Sequence, residues 1–168
     1  MGISKGVIEL MNISLAVIGR CTYRGVTICE LGNQRMRFSK HKTGKEYFRA
    51  MGAIHVSIDL NGKDGAKRLD LSRPIVELGC FDIVTNFGTS EHVENQEQCF
   101  QNIHDLCSKG GAMVHTVPLE GTYIGHSPHH YPRDFFVLLA AERGYEVIYD
   151  GLLERKQGTL VCSVLKKL

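Results

Sequence analysis

The last two strand-like segments of this chain lie too close together to be parallel neighbours. Residues 145–149 and 159–164 are rich in β-branched and aromatic side chains, and only nine residues, 150–158, separate them. A parallel pair needs a crossover of about a dozen residues or more, usually with a helix. The spacing therefore predicts an antiparallel hairpin at the end of the chain.

Upstream of that hairpin, short apolar runs alternate with longer amphipathic stretches. This alternation is typical of a parallel sheet covered by helices on both faces. Strands are predicted at 26–31, 54–59, 67–70, 81–85 and 112–117, and helices at 45–51, 95–108 and 132–143. The Gly110–Gly111 pair is the predicted stop of the second of these helices, and Gly144 that of the third. With the hairpin, the prediction is an α/β fold with a mostly parallel, seven-stranded sheet.

Length and charge restrict the function classes. A chain of 168 residues fits one domain, with a core at 26–165 that follows an N-terminal helical segment at 1–20. The net charge is +2 and is spread along the chain. Nucleic-acid binders usually concentrate positive charge on one face, so the sequence predicts no nucleic-acid partner.

The N-terminal segment is apolar but interrupted. Residues 3–18 include Lys5, Glu9 and Asn12, and the stretch is too short and too polar to span a bilayer. It predicts an amphipathic helix. The apolar face of this helix is expected to cover either the pocket or a partner chain, and that partner could be a second copy in a homo-oligomer. No membrane span is predicted.

Six cysteines occur without a Cys-x-x-Cys pair. Cys29 and Cys162 fall inside apolar strand-like runs, where a free thiol behaves as a small buried hydrophobe. A disulfide framework is unusual in a chain with this much core, so a reducing, cytoplasmic setting is expected.

Four segments resemble the class I S-adenosylmethionine-dependent methyltransferases, whose Rossmann-like, seven-stranded sheet ends in an antiparallel strand. Residues 29–34 (CELGNQ) resemble the acid-x-Gly-x-Gly loop after strand one, and residues 58–59 (ID) the acid that ends strand two. Residues 69–71 (LDL) follow strand three, and residues 81–93 (FDIVTNFGTSEHV) resemble the fourth-strand signature. The resemblance extends over nearly the whole chain.

The resemblance implies S-adenosylmethionine as cofactor, and a small-molecule acceptor is expected. Ligands of open α/β sheets lie at the carboxyl ends of the strands, and an ionised Asp59 can accept hydrogen bonds from both ribose hydroxyls. The implied cofactor-binding residues are Glu30, Gly32, Asn33, Gln34, Asp59, Leu60, Asp70, Leu71, Asn86, Phe87 and Gly88.

The first loop departs from the family pattern. Gly32 is followed by Asn33 and Gln34 where the family commonly has further glycines. This substitution is compatible with a subfamily whose side chains contact the cofactor, and also with a cofactor site that has decayed.

Three histidines are candidate catalytic residues, because imidazole accepts a proton near neutral pH. His92 follows the fourth-strand loop, His115 lies in the next strand, and His126 lies in the loop 118–131 behind it. For His115 a buried strand residue paired with a neighbour is the alternative. The loop is expected to line the acceptor side of the pocket, with His126 facing it.

A metal site at His126, His129 and His130, with Glu120 or Asp134, is conceivable, but its spacing matches no established zinc pattern, and no metal is predicted.

Two other function classes compete with a methyltransferase. A nicotinamide-dependent oxidoreductase requires a Gly-x-Gly-x-x-Gly turn, which residues 30–35 (ELGNQR) do not provide. A non-catalytic, methyltransferase-like binding subunit is favoured by the reduced glycine loop, whereas the retained Asp59, Asp70 and Asn86 favour the enzyme.

Overall fold

Six strands form one sheet, with helices on both of its faces. The computed structural model describes residues 2–168. The helices are α1 (Lys5–Val17), α2 (Gly44–Ala50), α3 (Gln96–Leu106) and α4 (Phe135–Arg143). The strands are β1 (Thr27–Leu31), β2 (Ile54–Ile58), β3 (Phe81–Phe87), β4 (Cys107–Pro118), β5 (Tyr145–Arg155) and β6 (Gly158–Lys167).

The strand order is β2-β1-β3-β4-β6-β5. The first four strands in this order are parallel, and β6 runs antiparallel to both of its neighbours, β4 and β5. The predicted terminal hairpin is therefore confirmed, and so is the mostly parallel α/β fold. The hairpin is longer than predicted, because pairing continues from Tyr145–Lys167 to Arg155–Gly158.

The predicted seventh strand at 67–70 does not form. Lys67 makes a single parallel bridge with Ile58. The chain then turns away, since Asp70 accepts a hydrogen bond from the amide of Ser72 at 2.9 Å. The segment has charged residues at three of its four positions, 67, 68 and 70, so it has too little apolar surface to hold a strand on a buried sheet.

The predicted glycine stop of α3 is also wrong. The helix ends at Leu106, and β4 begins at Cys107 and includes Gly110 and Gly111. A Cβ on Gly111 would lie 2.8 Å from the carbonyl oxygen of Ser108 and 2.9 Å from that of Asp82. Gly111 permits a close approach of β3 and β4 where their register shifts.

The last helix starts later than predicted. It begins at Phe135, and Pro132 belongs to the turn before it, where its carbonyl accepts from the amide of Phe135. The predicted end is confirmed, because Gly144 adopts a left-handed conformation with φ 70°.

Two apolar cores lie on opposite faces of the sheet. On one face, α1 and α2 cover Ile28, Ile83 and Val114, and on the other α3 and α4 cover Val84 and Met113. The apolar side of α1 (Val7, Leu10, Met11 and Leu15) is buried in the first core. The apolar face of α1 thus packs against the sheet of its own chain. A homo-oligomer through α1 stays a prediction.

Across residues 2–168, no helix is long and apolar enough to cross a membrane. All six cysteines are free thiols.

We expect Gly111→Ala to lower the free energy of unfolding by about 1–3 kcal/mol, since the new methyl would press on two backbone oxygens. Gly110→Ala is the comparison: its φ is 78°, but no atom lies within 4 Å of a Cβ there. It reports the cost of backbone strain alone. Urea denaturation of both variants checks this, and an equal or smaller loss in Gly111→Ala would contradict the close packing.

Candidate functional site

A cavity of about 440 Å³ opens at the carboxyl ends of β1, β2 and β3. Parallel strands place all of these ends at one edge of the sheet, which is where open α/β sheets bind ligands. Eight of the residues predicted from the sequence line the cavity: Gly32, Gln34, Asp59, Leu60, Asp70, Leu71, Gly88 and His92.

The turn after β1 is tied to the loop after β3. Thr89 donates its hydroxyl to the carbonyl of Leu31 at 2.7 Å and accepts from the side-chain amide of Gln34 at 3.2 Å. A Cβ on Gly32, whose φ is 79°, would lie 2.5 Å from that hydroxyl oxygen. Only glycine fits here, for both backbone and steric reasons.

Asp59 joins the ends of β1 and β2. Its Oδ2 accepts from the amide of Asn33 at 3.0 Å, and its Oδ1 accepts from the amide of Asn61 at 3.0 Å. A carboxylate offers about four acceptor positions, so each oxygen keeps capacity for a ligand hydroxyl. Asp59 is partly exposed and lies on the cavity wall.

The far wall is held by a residue that the sequence analysis missed. Asn102 of α3 donates to the carbonyls of Leu71 and Arg73, at 2.9 and 2.8 Å. Its Oδ1 accepts from the amide of Ile75 at 3.0 Å. A buried asparagine on the apolar side of a helix was the available signal, because such a group needs polar partners.

Four of the predicted cofactor residues do not line the cavity. Phe87 is buried in the core under α1. The side chain of Asn33 donates to Lys63 and Asp64, although its backbone amide binds Asp59. Glu30 and Asn86 are the other two, and both are buried.

The carboxyl group of Glu30 is packed against Gly44 at the start of α2, where a Cβ would lie 2.5 Å from Oε1. Within residues 2–168, neither side-chain oxygen has a hydrogen-bond partner of normal geometry. Burial is the main cause that raises the pKa of Glu30 well above its ordinary value.

His115 lies with Asn86 on the α3 side of the sheet. Its Nδ1 is 3.4 Å from the amide nitrogen of Asn86, and its ring stacks on Phe136 with centroids 4.4 Å apart. Burial lowers its pKa to about 3, so the ring is neutral. The structure thus places His115 away from the cavity, in the paired, buried position that was its alternative interpretation.

The structure brings His92 and His126 together. Their ring centroids are 5.1 Å apart, and Nε2 of His92 is 4.0 Å from Oε1 of Glu91. Burial, and then the charge of His126, lower the pKa of His92. The pKa of His126 is also lowered, chiefly by burial. His126 remains an exposed residue of the loop after β4, so only its ring edge approaches the site.

A second cavity, of about 260 Å³, lies at the carboxyl end of β4 on the α1 side. Its wall includes Thr116, Tyr123, Arg37, Arg155 and Lys156. Tyr123 belongs to the loop 118–131, and its ring centroid is 5.8 Å from that of His126. The loop after β4 therefore lies between the two cavities.

A family model described as a methyltransferase domain matches residues 26–115, more than half of the chain. The chain belongs to the class I S-adenosylmethionine-dependent methyltransferase family. The match includes β1, β2 and β3, whose carboxyl ends border the first cavity. No curated protein sequence shows a significant match.

Solved structures share the fold. N-methyltransferase NodS from Bradyrhizobium japonicum WM9, in complex with S-adenosyl-L-homocysteine, has a TM-score of 0.72 and 10% identity, over 97% of this chain and 86% of that chain. The 1,6-didemethyltoxoflavin-N1-methyltransferase of Burkholderia thailandensis has a TM-score of 0.68 and 15% identity, over 97% of this chain and 78% of that chain. Magnesium protoporphyrin IX methyltransferase (ChlM) from Synechocystis PCC 6803 has a TM-score of 0.66 and 9% identity, over 97% of this chain and 80% of that chain.

We expect Asn102→Ala in this methyltransferase to lower the free energy of unfolding by about 1–3 kcal/mol, because two carbonyls and one amide lose their partner. Amide exchange at Ile75 should accelerate in the same variant. Glu97→Ala, at an exposed position of the same helix, is the control and should change both quantities little. Unchanged exchange at Ile75 would show that Asn102 does not hold the far wall.

Proposed function

We propose that this protein transfers the methyl group of S-adenosylmethionine to an anionic small molecule. The observation that carries the cofactor assignment is Asp59. Backbone amides from two separate loops fix its carboxylate on the cavity wall, with acceptor capacity left on both oxygens. That is the arrangement needed to bind the two vicinal hydroxyls of a ribose.

The rest of the first cavity suits the remaining parts of the cofactor. Leu60, Leu69 and Leu71 supply apolar surface next to Asp59 for a purine ring. Gly32 and Gly88 leave the backbone accessible at the ends of β1 and β3, where the methionine part would lie. Gln34 occupies the position of a glycine of the family loop, and its amide binds Thr89. We infer that the Gln34 side chain, through this hydrogen bond, fixes the loop that further glycines shape in other family members.

Methyl transfer is an in-line displacement, so placing the acceptor supplies much of the catalysis. A lone pair of the acceptor forms a bond to the methyl carbon, and the carbon–sulfur electron pair returns to sulfur to give S-adenosylhomocysteine. An acceptor that is protonated in its ground state must also lose a proton. We propose that His92, which lines the first cavity, and His126, whose ring lies 5.1 Å from that of His92, face the acceptor, and that His115 does not.

The second cavity is our candidate for the acceptor. Arg37, Arg155 and Lys156 border it, and no carboxylate occurs among the described residues of its wall. Three cationic side chains around a small concave site favour a carboxylate or phosphate group. Arg155 is already oriented, since its guanidinium donates to the hydroxyl of Ser4.

A non-catalytic binding subunit is the second candidate, and the buried amide of Gln34 in the glycine loop favours it. Such a subunit would bind the cofactor without turnover. Family membership and the absence of a Gly-x-Gly-x-x-Gly turn in residues 30–35 argue against a nicotinamide-dependent oxidoreductase.

We expect calorimetry to detect S-adenosylhomocysteine binding, and Asp59→Ala to weaken it at least tenfold, because a charge-assisted hydrogen bond contributes roughly 1.5–3 kcal/mol. Wild-type protein with ligand at ~100 times its dissociation constant should gain about 2.7 kcal/mol of stability. Asp64→Ala is the matched control: Asp64 accepts from Asn33 and Lys42 on the same loops but does not line the cavity. Equal affinity in wild type and a folded Asp59→Ala variant would refute the ribose assignment.

We expect screening of acceptors, read out by S-adenosylhomocysteine release, to select carboxylates or phosphates over their esters and amides. Lys156→Ala should raise the KM of an anionic acceptor severalfold and leave cofactor affinity unchanged. Lys109→Ala, at an exposed position near the opposite end of β4, is the charge-matched control. A preference for neutral acceptors, or equal effects of the two variants, would contradict the assignment of the second cavity.

A further inference from the structure

Three potential metal ligands converge beside the first cavity. Glu91 and His92 belong to the short turn Ser90–His92 after β3, and His126 comes from the loop after β4. One ligand atom from each residue lies within 4.8 Å of the other two. Nε2 of His92 lies 4.0 Å from Oε1 of Glu91.

The carboxylate of Glu91 is the independent sign of a ligand. The residue is fully buried, and neither oxygen has a hydrogen-bond partner of normal geometry among the described residues. Burial raises its pKa to about 7. Leaving a buried carboxylate without a partner is costly, and buried charges in proteins are usually paired or bind a metal.

The groups around Glu91 do not supply that partner. The side chains of Cys99, Tyr123 and Tyr131 lie close enough for the charge of Glu91 to raise their pKa values, after the larger effect of burial. The hydroxyl of Tyr131 is engaged elsewhere, in hydrogen bonds with Ser90 and Gln96. The imidazoles of His92 and His126 also lie beside the carboxylate.

Both imidazoles are suited to ligation. A metal ion binds the neutral form of imidazole through an unprotonated ring nitrogen, and His92 and His126 each place one ring nitrogen within 4.8 Å of the other two ligand atoms. The side chain of His92 is 46% exposed, and His126 is exposed on its loop, so each can move by the ångström or so that closure requires. Ligand atoms at about 2.0–2.2 Å from a tetrahedral zinc ion lie roughly 3.3–3.5 Å apart.

We propose that Glu91, His92 and His126 form a binding site for a divalent ion of the zinc class. Two imidazoles and one carboxylate are a common ligand set of catalytic zinc sites, which keep a fourth position open. The sequence pattern did not predict this set, because its members come from two different loops, and the conceivable cluster of His126, His129 and His130 is a different one.

The role of the ion rests on the proposed function, whereas the binding site does not. His92 lines the first cavity, so the open position lies beside the expected methyl donor. A hydroxyl of the acceptor at that position would lose its proton to solvent more readily. The resulting oxygen anion would attack the methyl carbon as the carbon–sulfur bond breaks.

The test uses the chelator-treated 168-residue chain without S-adenosylmethionine. Calorimetric titration with Zn²⁺ should show one site, and Co²⁺ should give the visible absorption bands of a four-coordinate ion. Glu91→Gln and His126→Asn should each weaken binding at least tenfold, as even changes next to metal ligands cost about 10–100-fold. His129→Asn is the matched control on the same loop, since only its backbone amide contacts Glu91.

Circular dichroism and thermal melting establish whether each variant is folded. If Glu91→Gln does not fold, His126→Asn alone still decides the test. No binding, or binding that neither variant weakens more than His129→Asn does, overturns the proposal and leaves an adventitious ion only. These readouts need no methyl transfer. Loss of the metal site therefore leaves the cofactor assignment standing, and failure to bind S-adenosylhomocysteine leaves the metal site standing.

Discussion

The hydrogen bonds that Asp59 accepts hold the carboxyl edge of the sheet together. The amide of Asn33 belongs to the turn after β1, and that of Asn61 to the turn after β2, so one carboxylate fixes two loops. Gly32 and Thr89 extend the connection to the loop after β3. These hydrogen bonds hold the ends of three strands side by side, and the cavity lies between them. Asp59, which accepts two of the bonds, also has acceptor positions left for a ligand. The carboxylate that we propose binds the ribose thus also connects two loops of the fold.

Behind the cavity, the sheet carries a row of buried polar groups. Glu30 pairs in register with Ser57 on β2 and with Thr85 on β3, and none of the three side chains has a partner of normal geometry. His55 lies nearby, with Nε2 3.9 Å from Oε2 of Glu30, and burial lowers its pKa to about 3. Such a row destabilises the fold relative to apolar residues. The two extensive apolar cores offset this cost, so the stability of the domain comes from the helix-covered faces.

The two cavities are built differently. The first cavity, which we propose binds the cofactor, is formed by strand ends and backbone hydrogen bonds. The second cavity, proposed for the acceptor, and the Glu91–His92–His126 cluster are formed by loops from distant parts of the chain. A rigid sheet holds the ends of these loops, and their sequences are free to vary. This explains how relatives of one fold serve different acceptors.

The order of the elements and the end of the sheet were readable from the sequence, because strand spacing and periodicity are local properties. Nine residues between two strands excluded a parallel pair, and an acid and a glycine at strand ends located Asp59 and Gly88. Tertiary structure alone decided the rest. Residues 67–70 lacked the packing that makes a strand, Gly111 was needed for a close approach and not for a helix stop, and His115 was enclosed by Phe136. His92 and His126 met at Glu91 because two loops converge in space, a distance that sequence separation does not encode.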